Sequence, residues 1–214
     1  MISEATYNQY LQYLIEGNRR KCSAIVESLL EEEIELKVLY RYLFQRSLYK
    51  IGEMWEYNKI SVAVEHLATS ITQQLMNLVY PQLFVQDKNG KKAVITCVAN
   101  EYHQIGPRMV ADFFELNGWD GFFLGSDTPI NDLLEYIENQ QPDIVALSLA
   151  IYFNMKILYE TIETIREKHP CLPVLVGGQA FRWGGHDVVD RFDHVRYLES
   201  IETLDQLFVE GDFG

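Results

Sequence analysis

Glu101-x-His103-x-x-Gly106 sets a carboxylate two residues before an imidazole and a glycine three residues after it. A neutral imidazole is a good metal ligand when a carboxylate or carbonyl holds its other nitrogen. Glu101 can do this for His103 on an irregular loop. Gly106 lets a flat ligand approach the backbone with no side chain in the way. Further along, Ser148 and the pair Gly177-Gly178 offer small walls between which something long can insert. Upstream, Trp55 is followed after nine residues by Glu65-His66. Each set has an ordinary alternative. A loop histidine beside an acid is often a surface histidine. A tryptophan on an amphipathic stripe is often core, and Glu65-His66 a solvated face.

The elements that must position these residues fall into two kinds. Ser3 caps a first helix that stops at Gly17, and Asn18 caps a second, "RRKCSAIVESLL". A long third helix, "IELKVLYRYLFQRSLYKIGEMWEY", carries Leu36, Leu39, Tyr40, Leu43, Leu48, Ile51 and Trp55 at steps mostly of three or four. "NKIS" breaks it, and a fourth helix runs to about Pro81. Short connections predict an antiparallel bundle over residues 1–85. "VQDKNGKK" is polar and turn-forming, and is the best linker candidate. From residue 92 to 214 the pattern becomes strand–helix alternation, beginning with "AVITCV" and closing with "SIETLDQLFVE". Five such strands predict a flavodoxin-like or Rossmann-like parallel sheet covered on both faces. Ligands of that fold sit outside the carboxyl ends of the strands. The loops "NEYHQIG", "GSDTP" and "GGQAFRWGG", with the strand end "LSLAIYF", meet there.

Composition narrows the chemistry. The 214 residues carry a formal charge of −13, which repels phosphate backbones and argues against direct nucleic-acid binding. Only Arg108 and Arg182 lie near the predicted ligand edge. No GxGxxG or P-loop is present, so a dinucleotide or NTP is not expected. A receiver domain wants clustered acids after its first strand; here Glu101 and Asp127 are the only candidates. Cys22, Cys97 and Cys171 are isolated, which suggests free thiols in a reducing cytoplasm. The N-terminus lacks signal-peptide features, and no apolar run approaches membrane-spanning length.

Taken together, Glu101-x-His103-x-x-Gly106, Ser148-Leu149 and Gly177-Gly178 resemble the cobalamin-binding domain family. Its usual form is Asp-x-His-x-x-Gly, then Ser-x-Leu, then Gly-Gly. The segments "ADFFELNGWDGFFLGSDTP" and "VLVGGQAF" are similar too, and the bundle resembles the cap domain that often accompanies the fold. The resemblance covers nearly the whole chain. It implies base-off cobalamin, with His103 as the lower cobalt ligand, Glu101 tuning it, and the nucleotide tail between Ser148, Gly177 and Gly178. Arg182 or Trp183 would touch the nucleotide loop. Glu101 in place of aspartate keeps the carboxylate and lengthens it by one methylene.

Trp55-x9-Glu65-His66 resembles the upper-face signature of CarH-type light-sensing cobalamin regulators. The resemblance implies Trp55 on the 5′-deoxyadenosyl group, Glu65 on its ribose and His66 lining the pocket. The cofactor is then adenosylcobalamin, and light breaks its cobalt–carbon bond. Two departures stand out. Glu56 occupies the place of the histidine that commonly follows the tryptophan, and these 214 residues open directly on the bundle, without a helix-turn-helix segment. The expectation is therefore a stand-alone sensor, not an enzyme, that signals to a transcription regulator or other effector protein. A homo-oligomer is compatible with this. The alternative is a corrinoid methyl carrier using methylcobalamin. A third reading is a degenerate fold that binds no corrin.

Overall fold

The computed structural model describes residues 1–85, 87–211 and 213. The chain divides into two compact units, Met1–Val85 and Gln86–Gly214.

The first unit is helical. Its helices are α1 (Glu4–Ile15), α2 (Arg19–Glu31), α3 (Leu36–Leu39), α4 (Arg46–Glu56) and α5 (Val62–Val79), and a 3-10 turn, Tyr80–Val85, follows. Side chains of Ser3, Asn18 and Ser61 accept N–H groups of the first turns of α1, α2 and α5, the usual remedy for unpaired helix N-termini. Gly17, at φ +68°, ends α1 in the left-handed conformation. Arg46 grips Glu4 through both guanidinium nitrogens at 2.7 and 2.8 Å and lies 3.7 Å over the Tyr7 ring, tying α4 to α1.

The predicted long third helix is continuous but not uniform. Residues Tyr40–Gln45 form a π-helical turn between α3 and α4. Such a turn holds one residue more and so advances the phase of everything after it. Ser47 and Ile51 are buried beyond it, Leu48 is only half-buried, and Trp55 is 47% exposed. The buried Leu43, Ser47 and Ile51 keep a four-residue step across the turn, and Trp55, the next on that step, is exposed near the end of α4.

The second unit is a five-stranded parallel sheet: β1 (Lys92–Cys97), β2 (Asp120–Gly125), β3 (Ile144–Ser148), β4 (Val174–Gly177) and β5 (Val195–Leu198). The spatial order is β2-β1-β3-β4-β5, the flavodoxin-like arrangement. Its helices are α6 (Ile105–Leu116), α7 (Ile130–Gln140), α8 (Met155–Lys168), α9 (Val188–Arg191) and α10 (Ile201–Glu210). One face of the sheet packs Val94, Val145 and Val174 with Leu134 and Ile137 of α7 and Leu158 and Ile162 of α8. α6 packs against β1, β2 and β3, and its Phe114 meets Phe208 of α10 edge-on at 5.1 Å. Pro129 stands just outside α7, at its N-cap position.

Of the candidate linker, Gln86 lies outside the described residues. Residues after it are tied down: Lys88 pairs with Glu115 and donates to the Trp119 carbonyl at 2.7 Å, and Asn89 N–H donates to Gly118 O at 2.8 Å.

Candidate functional site

Strand order reverses between β1 and β3, because the chain leaves β1 for one neighbour and returns on its other side. Loops after these strands part there and open a crevice at their carboxyl ends. The β1 loop brings Glu101 and His103 to that edge, the last residues of β3 and β4 bring Ser148 and Gly177, and Gly178 follows β4.

The Glu101 side chain is wholly buried, whereas that of His103 is 61% exposed. Glu101 Oε1 accepts the His103 backbone N–H at 3.0 Å and stands 2.5 Å from His103 Nδ1. Its Oε2 accepts the N–H groups of Ala150 and Ile151, both at 2.9 Å. Burial pushes this carboxyl up, but the ring bond from His103 and the three peptide N–H bonds outweigh it. The pKa is held down at about 2. An ionised carboxylate with several N–H donors keeps its charge even in the interior. With Nδ1–H turned to that carboxylate, the imidazole lone pair lies on Nε2, the atom a metal would take. Beneath the loop, the Cys97 thiol points at the His103 carbonyl at 3.7 Å. Burial, and then the Glu101 charge, push this thiol up to about 12, so it is an inert packing group.

Gly106 lies in the first turn of α6 and is exposed, and a Cβ there would meet nothing within 4 Å. The position faces open space, with nothing of the protein to oppose a ligand's approach. Gly106→Ala is expected to leave stability within about 1 kcal/mol of wild type, since alanine suits a helix better than glycine. If a flat ligand rests on this turn, the same change lowers its retention several-fold. Urea denaturation alongside equilibrium dialysis with cobalamin separates the two effects.

Gly178 differs. At φ +113°, with Leu149 O only 2.2 Å from where a Cβ would stand, it admits no other residue without moving backbone. Ser148 and Gly177 are register partners across β3 and β4. Ser148 and Gly177 are half-buried and Gly178 is exposed, so all three line an accessible edge. The Ser-x-Leu spacing in fact puts Ala150, not Leu149, at its third position. Leu149 is buried and donates its N–H to Gly177 O at 2.9 Å. Ala150 supplies an N–H to Glu101. Trp183 is 73% exposed at the end of the 3-10 turn after β4.

In the first unit, Trp55 is the last residue but one of α4, and Glu65 and His66 are the fourth and fifth residues of α5. His66 Nε2 lies 3.5 Å from Glu65 Oε2, and Glu65 accepts the Thr69 hydroxyl at 3.1 Å. Among the described residues no hydrogen bond or ring contact joins Trp55 to either of them. Sequence reading passed over Asn100 and Asn154 and weighed Asp127 only as a receiver-type acid. Asn100 and Asp127 have φ of +62° and +53°. The signal available was their residue type, since Asn and Asp are the non-glycine residues that tolerate this region.

A doubly wound domain with a carboxylate-oriented imidazole at its switch point, joined to a helical unit, defines the class. Residues 91–207 match the B12 binding domain, and residues 6–80 match a second family also described as B12 binding domain. The chain belongs to the B12-binding family. It is 29% identical over 159 residues to the HTH-type transcriptional repressor CarH of Myxococcus xanthus, covering 73% of this chain and 52% of that protein. It is 23% identical over 146 residues to trimethylamine corrinoid protein 1 of Methanosarcina acetivorans, covering 67% of this chain and 68% of that one. The chain thus spans about half the length of CarH. Its fold is similar to that of the Methanosarcina barkeri monomethylamine corrinoid protein. The TM-score is 0.85 at 13% identity, over 99% of this chain and 100% of that one. No described helix is long and apolar enough to cross a membrane.

Proposed function

We propose that this chain is an adenosylcobalamin-binding sensor module that holds the cofactor base-off on His103 and reports its state to a partner protein, without catalysing a reaction itself. The observation that carries the reading is the Glu101–His103 pair: a buried, fully hydrogen-bonded carboxylate fixes Nδ1 of an exposed imidazole. Among the described residues no three His, Cys, Asp or Glu side chains cluster to hold a metal. A single protein ligand suffices only when a macrocycle supplies the equatorial donors, as a corrin does. When bound, the cofactor supplies a cobalt centre and, in its adenosyl form, a light-labile cobalt–carbon bond. Glu101 holds the ring tautomer, Ser148, Gly177 and Gly178 admit the nucleotide tail, and Trp55, Glu65 and His66 recognise the adenosyl group. That trio, together with the similarity to CarH across 73% of the chain, favours a sensor. The similarity to a trimethylamine corrinoid protein favours a second reading, a methyl carrier serving separate methyltransferases.

The test is retention of each cofactor in the dark, followed by green light. Adenosylcobalamin should stay bound through desalting in a base-off form, and its spectrum should change on illumination unlike that of the free cofactor. Trp55→Ala should weaken adenosylcobalamin about tenfold, the worth of one aromatic stacking contact, and leave methylcobalamin unchanged. Preference for methylcobalamin with no effect of Trp55→Ala would establish the carrier reading. Loss of both cofactors on desalting would overturn both.

A further inference from the structure

The bond between Glu101 and His103 cannot by itself place the imidazole. Both residues ride on one segment, so their contact fixes the ring relative to that segment. Glu101 Oε2 ties that segment to the loop after β3 through the N–H groups of Ala150 and Ile151, and Asn100 adds the tie to the loop after β2. Its N–H donates to Asp127 Oδ1 at 2.7 Å, and its carbonyl accepts from Asn154 Nδ2 at 3.0 Å. Asp127 follows β2 and Asn154 follows β3, so the two neighbouring loops grip one residue of the β1 loop from both sides. Asp127 grips twice more: its N–H donates to Glu101 O at 2.9 Å, and its Oδ2 accepts the Tyr102 hydroxyl at 3.2 Å. Asn100 and Asp127 both hold left-handed backbone, which Asn and Asp tolerate better than other non-glycine residues.

We propose that Asp127, seconded by Asn154, is a positioning residue that presets the His103 loop for cobalt. It acts through Asn100, Glu101 and Tyr102, to which it is hydrogen-bonded, and not as a ligand. The proposal rests on the cobalamin-binding reading above and adds to it the residues that set ligand geometry. A ligand bond needs its donor placed to within about 0.5 Å, and the residues behind a metal ligand are worth 10- to 100-fold in affinity.

The experiment uses the full chain with three substitutions. Asp127→Gly keeps the left-handed backbone and removes the carboxylate. Asp127→Asn keeps an acceptor for the Asn100 N–H and removes the charge. Asn154→Ala releases the other side of the grip. Each is read without cofactor, by amide exchange of His103, and with cob(II)alamin, by dialysis and by the nitrogen hyperfine splitting of its spin resonance. In Asp127→Gly the His103 amide should exchange about tenfold faster, corrin affinity should fall about tenfold or more, and part of the bound cobalt should lose its nitrogen splitting. Asn154→Ala should do the same more weakly, and Asp127→Asn should stay within about threefold of wild type. Unchanged exchange, affinity and splitting in both Asp127→Gly and Asn154→Ala would overturn the positioning role while leaving cobalamin binding intact. A wild-type chain that binds no corrin would overturn the underlying reading and this role with it.

Discussion

Replacing His103 with alanine is expected to abolish the nitrogen hyperfine splitting of bound cob(II)alamin and to lower corrin affinity about 100-fold, equivalent to about 2.7 kcal/mol. The size follows from the donor set. His103 is the single imidazole at the crevice held by a buried carboxylate, and no cluster of three ligating side chains among the described residues stands ready to replace it. The fold should not suffer, because the His103 side chain is 61% exposed and its own N–H to Glu101 survives the change. Dialysis gives the affinity and spin resonance the ligand. Added imidazole, entering the space left by the side chain, should restore the splitting. A variant that keeps nitrogen splitting without added imidazole would mean that another residue, or the cofactor's own dimethylbenzimidazole, ligates cobalt.

Much of this architecture was legible in the residues because it rests on local rules. Ser3, Asn18 and Ser61 announce helix starts by residue type, and their side chains make the capping bonds. Apolar runs such as "AVITCV" between amphipathic segments announce buried parallel strands, and β1 is buried along nearly all its length. What escaped is what has no period. The π-helical turn at Tyr40–Gln45 leaves no mark in the apolar spacing, and Trp55, four residues beyond the buried Ile51, is exposed near the end of α4. Glu101 was readable as a partner for His103 at a separation of two. Its other partners are N–H groups of Ala150 and Ile151, about fifty residues away, and a peptide N–H carries no mark in the sequence. The same holds for the grip of Asp127 and Asn154 on Asn100: each is an ordinary loop residue until the sheet order sets β2 and β3 on either side of β1.

Those distant N–H groups make Glu101 the position where a conservative change should cost most. Glu101→Gln keeps the shape and replaces one carboxylate oxygen with a donor. Whichever way the amide turns, two N–H groups lose their acceptor: either those of Ala150 and Ile151, or the ring and backbone N–H of His103. Leaving buried donors unmet, facing another donor, is expected to destabilise the second unit by about 3 kcal/mol or more. Corrin affinity should fall 10- to 100-fold as the ring loses its orienting acceptor. The pH dependence identifies the cause. The folded carboxyl titrates at about 2, below its ordinary 4.5. A depressed carboxyl contributes stability that is complete above the unfolded value and is lost as pH falls toward the folded one. The advantage of wild type over Glu101→Gln should therefore be constant from neutral pH down to about 4.5 and shrink by about 3 kcal/mol between there and pH 2. Urea denaturation at pH 7, 5, 4 and 3 measures it. If that advantage instead stays constant through pH 3, the four N–H groups do not hold the Glu101 charge, and His103 is oriented by the shape of the residue before it rather than by an ionised partner.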